Sequence, residues 1–134
     1  LQEDTLFVAN IGDSRLYLLH EHLQQITNDH SLVEEMVKIG NLTESEARMH
    51  PQKNIITRAL GIDEEVQPDF FEIKVLPGDI ILLCSDGLSN MVEDEDMEYL
   101  IRHTDSLEQA GDALVKRANA NGGSDNITAV LVQV

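Results

Sequence analysis

The chain has 134 residues, of which 42% are hydrophobic and 25% are charged, and its formal net charge is −16. This length and hydrophobic content predict one globular domain, or a piece of one, and exclude a disordered chain. The acidity excludes nucleic acid and anionic lipid as favoured partners, because both need a positive protein surface. Acidity fits a protein that gathers divalent cations, but charge alone favours ordinary solubility as its explanation.

A single cysteine, Cys84, lies in the apolar run DIILLCS, so no internal disulfide can form and a reducing cytoplasm is permitted. No apolar run reaches the roughly 18 residues that a transmembrane helix needs. No signal peptide opens the chain, and the first residues, LQEDTLFVAN, already resemble a strand. We therefore expect a fragment of a longer, cytoplasmic protein.

Strands are predicted first along the chain. TLFVAN (5–10) and SRLYLLH (14–20) are apolar runs rich in strand-forming residues, and IGD (11–13) joins them. This pattern predicts a hairpin with a Gly-Asp turn. LQQIT (23–27) predicts a third strand.

Two helices are predicted next. SLVEEMVKIG (31–40) has Ser31 as the N-cap and Glu34 three residues later, which is the pattern of a capping box. Thr43 and Glu46 repeat this pattern, so a second, shorter helix is predicted there.

The rest of the chain mixes strands and helices. An apolar connector precedes two strands that flank a Pro-Gly turn, and two helices and a final strand follow. The predicted strands are 70–75, 79–85 and 126–134, and the predicted helices are 93–103 and 106–120. Because strands and helices do not alternate regularly, the order favours an antiparallel α+β architecture over a parallel sheet.

Three aspartates share one setting, where a strand meets a turn. Asp13 lies between the first two predicted strands, Asp86 follows DIILLCS, and Asp125 follows two glycines and precedes the last strand. Rigid strand ends hold a ligand well, and carboxylates suit Mg²⁺ or Mn²⁺, whereas Cys and His show no zinc-ligand spacing. Each Asp alone is more often a turn former or a helix cap, and the pattern leaves open whether the three converge.

Five motifs occur in the order IGDSRLYLL, TNDHS, ITRALG, PGDIILLCSDGL and GGSDNITAVLV. In this order they resemble the motifs of the metal-dependent PP2C-type (PPM) serine/threonine phosphatases, especially the bacterial branch that opposes Ser/Thr kinases. The resemblance implies an αββα sandwich, in which two antiparallel sheets lie face to face between helices, with metals at one edge. It identifies residues 1–134 as the C-terminal part of such a domain. It also implies hydrolysis of phosphoserine and phosphothreonine in proteins by a metal-activated water.

The resemblance also implies a set of metal ligands. In the family, the Asp residues of SDGL and SDN bind the catalytic pair of metals, and the Asp of GDSR contributes to an additional site. These roles fall on Asp86, Asp125 and Asp13, with Mn²⁺ or Mg²⁺ as the ions. Gly87 and Asn126 stand directly beside these ligands and are implied to support them.

Residues 31–57 match the family's flap, a helical insert beside the active site that influences substrate choice. Its helices also fit plain packing, and we expect both roles. His30, Ser31 and Arg58 are implied as flap or substrate residues, although His30 and Arg58 by themselves favour a structural role at the flap base. Asn90 stands where some family members have an acid, which weakens the implied third metal site.

The family's early segment, with its DGMGGH-like motif, has no counterpart here. We therefore expect the chain alone to be inactive, with exposed sheet edges and apolar faces, or to need a second chain. The implied partners are phosphorylated proteins and a cognate Ser/Thr kinase. The alternative is a non-catalytic PP2C-like domain used for binding or regulation. The three retained aspartates argue against this alternative, and the absent segment leaves it open.

Overall fold

Six strands and five helices form in the computed structural model, which describes all of residues 1–134. The strands are β1 (Thr5–Asn10), β2 (Arg15–Leu19), β3 (Leu23–Gln25), β4 (Asp69–Lys74), β5 (Ile80–Cys84) and β6 (Ala129–Gln133). The helices are α1 (Leu32–Lys38), α2 (Glu44–Arg48), α3 (Asp86–Ser89), α4 (Asp94–Arg102) and α5 (Leu107–Ala120). Every predicted strand and helix is therefore confirmed, and only the four-residue helix α3 was not predicted.

The strands form two antiparallel sheets. One contains β1 and β4, and the other has the order β3-β2-β5-β6. The predicted hairpin between β1 and β2 is wrong, because the short connection carries the chain from one sheet into the other. The physical reason lies in β2, where residues 16–19 are all buried. Such a strand needs cover on both faces, and a sheet containing β1 packs on one of them.

The Pro77-Gly78 turn makes a second crossing of this kind. It joins β4 of the two-stranded sheet to β5 of the four-stranded sheet. Each short turn thus connects strands that do not pair with each other. The predicted class, α+β with two antiparallel sheets, is confirmed.

Two apolar clusters hold the layers together. The larger one joins one face of the four-stranded sheet to α3, α4 and α5, and it includes Tyr17, Leu82, Met97 and Leu114, all fully buried. The smaller one lies between the sheets. The layers therefore run helices, four-stranded sheet, two-stranded sheet.

Two apolar faces remain exposed, as expected for part of a sandwich. Phe7 and Phe70 lie on the outer face of the two-stranded sheet, with 53% and 76% of their surface exposed. Leu83, Val130 and Val132 lie on the inner face of the four-stranded sheet, where β1 and β4 do not extend far enough to cover them. Exposed apolar patches of this kind usually mark surfaces that another segment covers.

The helix caps confirm the sequence patterns. Thr43 and Glu46 form a complete capping box, with each side chain bonded to the other's backbone N–H. Ser31 Oγ accepts the N–H of Glu34 at 3.3 Å, which is half of the predicted box. No helix in the structure is both long and apolar enough to cross a membrane.

Adjacent leucines on β5 provide a test of which face points to the core. Leu82→Ala should lower the free energy of unfolding by about 2–5 kcal/mol, because Leu82 is fully buried under the helices. Leu83→Ala should lower it by less than about 1 kcal/mol, because that side chain is already 42% exposed. Urea unfolding followed by circular dichroism measures both, and equal losses would contradict the assignment of faces.

Candidate functional site

The pairing of β2, β5 and β6 places the three aspartates beyond the same end of these strands in the four-stranded sheet. Cys84, at the end of β5, pairs with Arg15 at the start of β2 and with Ala129 at the start of β6. Because neighbouring strands are antiparallel, these three residues form one row across the sheet end. Asp13 lies two residues before Arg15, Asp86 lies two residues after Cys84, and Asp125 lies four residues before Ala129.

The charges of Asp13 and Asp86 act on each other. Partial burial raises the pKa of Asp13, and the negative charges of Asp86 and Asp29 raise it further. Ionising a carboxyl beside other carboxylates costs free energy, and a bound cation would relieve this repulsion. Two of the three predicted ligands, Asp13 and Asp86, therefore lie near enough for their charges to repel each other.

A seam of hydrogen bonds holds the Asp125 loop against the start of α3. Ser85 Oγ donates to Asn126 O at 3.2 Å and accepts the Thr128 N–H at 3.0 Å, while the Ser85 N–H donates to Thr128 O at 3.1 Å. Gly87, two residues after Ser85, packs so closely against Asn126 that a Cβ on Gly87 would lie 2.1 Å from Asn126 O. Gly87 and Asn126, predicted as neighbours of the ligands, are thus the contact between the two loops.

Asp125 is exposed, and its Oδ1 accepts the N–H of Asn126 at 2.6 Å. Across the chain, no three Asp, Glu, His or Cys side chains gather closely enough to hold a metal ion by themselves. Carboxylate donors fit Mg²⁺ or Mn²⁺ in kind, but these ions need about six ligands. The chain therefore supplies part of a donor set, and metal binding by these aspartates remains a prediction.

His30 is buried beneath the loop that carries Asp13. Its ring Nδ1 accepts the Gly12 N–H at 3.1 Å, and the backbone N–H of His30 donates to Gly12 O at 2.9 Å. Gly12 has a φ of +102°, a conformation that favours glycine. Because Nδ1 is an acceptor, the ring proton lies on Nε2, which donates to Asp69 Oδ2 at 2.8 Å. His30 thus fixes the Asp13 loop and does not face an open site.

Arg58 completes this cluster by donating from Nη1 to Asp69 Oδ1 at 2.9 Å. The hydrogen bonds from His30 and then Arg58 hold the pKa of Asp69 below its usual value. Ser31 pairs with Ile56 through the backbone, so the two ends of residues 31–57 meet at this cluster. His30, Ser31 and Arg58 are therefore brought together at the base of the helical insert.

A partly buried ionic network beside this cluster was not predicted from the sequence. Arg15 forms a bidentate salt bridge with Asp29, in which Nε donates to Oδ1 at 2.9 Å and Nη2 donates to Oδ2 at 2.8 Å. Its Nη1 donates to the hydroxyl of Tyr17, which in turn donates to Asp94. Arg15 and Asp29 belong to the quoted motifs GDSR and TNDHS, so the signal lay in the letters beside the residues that were singled out.

A cavity of about 720 Å³ lies between the helical insert and the body of the domain. Its lining includes Arg15, Arg48 and Asn90, but none of the three aspartates. Asn90 donates to Asn54 Oδ1 of the insert at 3.3 Å. Burial raises the pKa of the Cys84 thiol to about 12, so this thiol is no nucleophile at neutral pH.

Comparison with known proteins places the chain in a family. The family model described as Stage II sporulation protein E (SpoIIE) matches residues 1–134. A serine/threonine phosphatase, stp, of Listeria monocytogenes is 43% identical over 134 residues, which cover 99% of this chain and 53% of that protein. The chain therefore belongs to the SpoIIE/PP2C-like family, and the resemblance found in the motifs is confirmed. It spans about half the length of the curated relatives that it matches.

Solved structures agree with this placement. The serine/threonine phosphatase Stp1 of Staphylococcus aureus is 40% identical, with a TM-score of 0.95 over 100% of this chain and 53% of that one. The catalytic domain of the phosphatase PstP, solved in complex with two manganese ions, is 36% identical, with a TM-score of 0.88 over 99% of this chain and 55% of that one. The predicted PP2C-like fold is thus confirmed for the part of the domain that this chain covers.

The contact at Gly87 provides a test of the seam between the two loops. Gly87→Ala should lower the free energy of unfolding by about 1–3 kcal/mol, because the new methyl group would overlap a backbone oxygen that cannot move freely. Gly111→Ala is the matched control. Gly111 lies inside helix α5, and a Cβ there would make an ordinary 3.7 Å contact with Leu131 of β6, so this substitution should stabilise the protein by about 0.5–1 kcal/mol. Thermal unfolding measures the stability of both variants. An unchanged stability in Gly87→Ala would contradict the close approach of Gly87 to Asn126 O.

Proposed function

We propose that this chain is the C-terminal part of a metal-dependent phosphatase that hydrolyses phosphoserine and phosphothreonine in proteins. The observation that carries this proposal is the row of paired residues at the sheet edge, from which Asp13, Asp86 and the Asp125 loop emerge together. The repulsion between the charges of Asp13 and Asp86, which raises the pKa of Asp13, supports a cation site there. The names of the relatives support the reaction and give no support to the non-catalytic alternative.

Mn²⁺ or Mg²⁺ is the proposed cofactor, because the donors are hard carboxylate oxygens and because the related PstP domain was solved with two manganese ions. Asp86 and Asp125 would each contribute to the catalytic pair, and Asp13 to an additional site. Bound ions of this kind supply an activated water and stabilise charge on the phosphoryl oxygens. The protein's own part is to hold the carboxylates at fixed strand ends, through the Ser85–Asn126 seam and the His30–Gly12 bonds.

The other half of the donor set would come from the half of the domain that this chain does not span. We therefore propose that the chain alone binds metal weakly and does not turn over substrate, since ligand number and charge set the affinity for such ions. The exposed apolar side chains of both sheets support this view, because added strands and helices would cover them.

Residues 31–57 are proposed as the flap. Both ends of this segment are fixed at the His30–Asp69–Arg58 cluster, and its helices face the body of the domain across the 720 Å³ cavity. A segment that is fixed at its base and borders a polar cavity is suited to contact a protein substrate. His30 and Arg58 would act by holding the flap base.

Phosphorylated proteins are the proposed substrates, and a cognate Ser/Thr kinase is the partner that such a phosphatase would oppose. A cytoplasmic location is also proposed, supported by the single, buried cysteine. Nucleic acid is not among the proposed partners, since the chain carries a net charge of −16.

Charge-removing substitutions test the proposed ligands in the longer protein. Asp86→Asn and Asp125→Asn should each lower Mn²⁺-dependent hydrolysis of a phosphothreonine peptide by at least about a hundredfold, because even partners of metal ligands commonly contribute 10–100-fold. Asp112→Asn, on the exposed face of α5, is the matched control and should keep full activity. Phosphate release measures all three. Retained activity in either variant would refute the role of that residue.

A further inference from the structure

The helical insert touches the short helix that begins with Asp86. Arg48, the last residue of α2, donates from Nη1 to Ser89 O at 3.0 Å. Its Nε lies 2.6 Å from Glu93 Oε1. Because α3 contains only residues 86–89, a contact at its last residue constrains its first.

Arg48 has a defined physical effect at this end of α3. The last carbonyls of a helix have no partner within the helix, and a cation there is favourable. Arg48 supplies a charged donor to one of them, the carbonyl of Ser89, which is itself 3% exposed. A hydrogen bond to a charged group is stronger than one between neutral groups.

The same guanidinium also holds the start of the next helix. Glu93 is the N-cap residue of α4, yet its side chain makes no capping hydrogen bond. Its carboxylate instead pairs with Arg48. Arg48 therefore links the end of α3 to the start of α4, across the connection formed by residues 90–92. Only 26% of the Arg48 side chain is exposed.

Other contacts between the insert and α3 are weaker. The amides of Asn54 and Asn90 meet at 3.3 Å on exposed surface, and neither carries a charge. A second basic residue of the insert, Lys38, pairs only with Glu34 on its own helix, at 3.9 Å. Arg48 is thus the charged link from the insert to α3.

We propose that Arg48 is a positioning residue that docks the insert onto the far end of α3 and thereby fixes Asp86 relative to Asp13. This inference rests on the proposed function, in which Asp86 binds metal. Movement of the insert that breaks the Arg48 contacts would release α3 and weaken metal binding. Substrate contact with the insert and metal affinity would then be coupled.

Two measurements on the longer protein test this coupling, and neither depends on turnover. Amide hydrogen exchange of residues 86–92 in the metal-free protein reports whether α3 is held, and calorimetric titration with Mn²⁺ alone gives the dissociation constant. Arg48→Ala should raise both the exchange rate and the dissociation constant by about tenfold, the lower end of what a hydrogen bond to a charged group contributes. Arg48→Lys should restore little, because one ammonium does not reproduce the planar fork.

Lys38→Ala is the matched control from the same insert and should change neither quantity. If Arg48→Ala does not fold, Glu93→Gln removes the charged partner alone and should shift both quantities in the same direction. Unchanged exchange and unchanged Mn²⁺ affinity would overturn the proposal. Faster exchange with unchanged affinity would overturn it as well, since Arg48 would then only stabilise a corner. Neither measurement depends on peptide hydrolysis. A wild type that binds Mn²⁺ without hydrolysing the peptide would therefore refute the proposed function, while hydrogen exchange and Mn²⁺ affinity would still test the role of Arg48.

Discussion

The hydrogen bonding of β5 to its two neighbours is the constraint on which the site depends. Arg15, Cys84 and Ala129 form one row, and that row decides which residues emerge at the same end of the sheet. A slip of one residue would turn every side chain to the other face and separate the loops. Tyr17 and Leu82, buried under the helices, resist such a slip because their removal from the core would expose large apolar surface.

The carboxylates at this end of the sheet lower the stability of the folded state, although they suit cation binding. Asp13 is partly buried and lies near the charges of Asp86 and Asp29, so its pKa is raised. Since the folded state raises this pKa, ionised Asp13 disfavours folding at neutral pH, and the cost disappears as the pH falls below the unfolded value. Arg15 offsets part of the local negative charge by gripping Asp29. Such opposition between stability and ligand chemistry is typical of functional sites.

Much of this structure could be predicted from the sequence, and the failures have physical causes. Strands and helices follow from apolar periodicity and capping residues, both of which are local signals. The pairing of β1 with β4 could not be predicted, because a short Gly-Asp turn serves a hairpin and a crossing between sheets equally well. Three motif aspartates were found, whereas Asp69 and Arg48 were missed because only their distant partners show what they do. Long-range ion pairs leave no pattern in a single sequence.

The carboxyl titration of Asp13 reports whether the fold places Asp13 and Asp86 near each other. Carbon-13 NMR in the metal-free protein would give its pKa in the wild type and in Asp86→Asn. We expect the pKa of Asp13 to lie above the usual range in the wild type, chiefly from burial, and to fall once the Asp86 charge is removed. An ordinary pKa in the wild type, or the same raised pKa in both proteins, would contradict this placement.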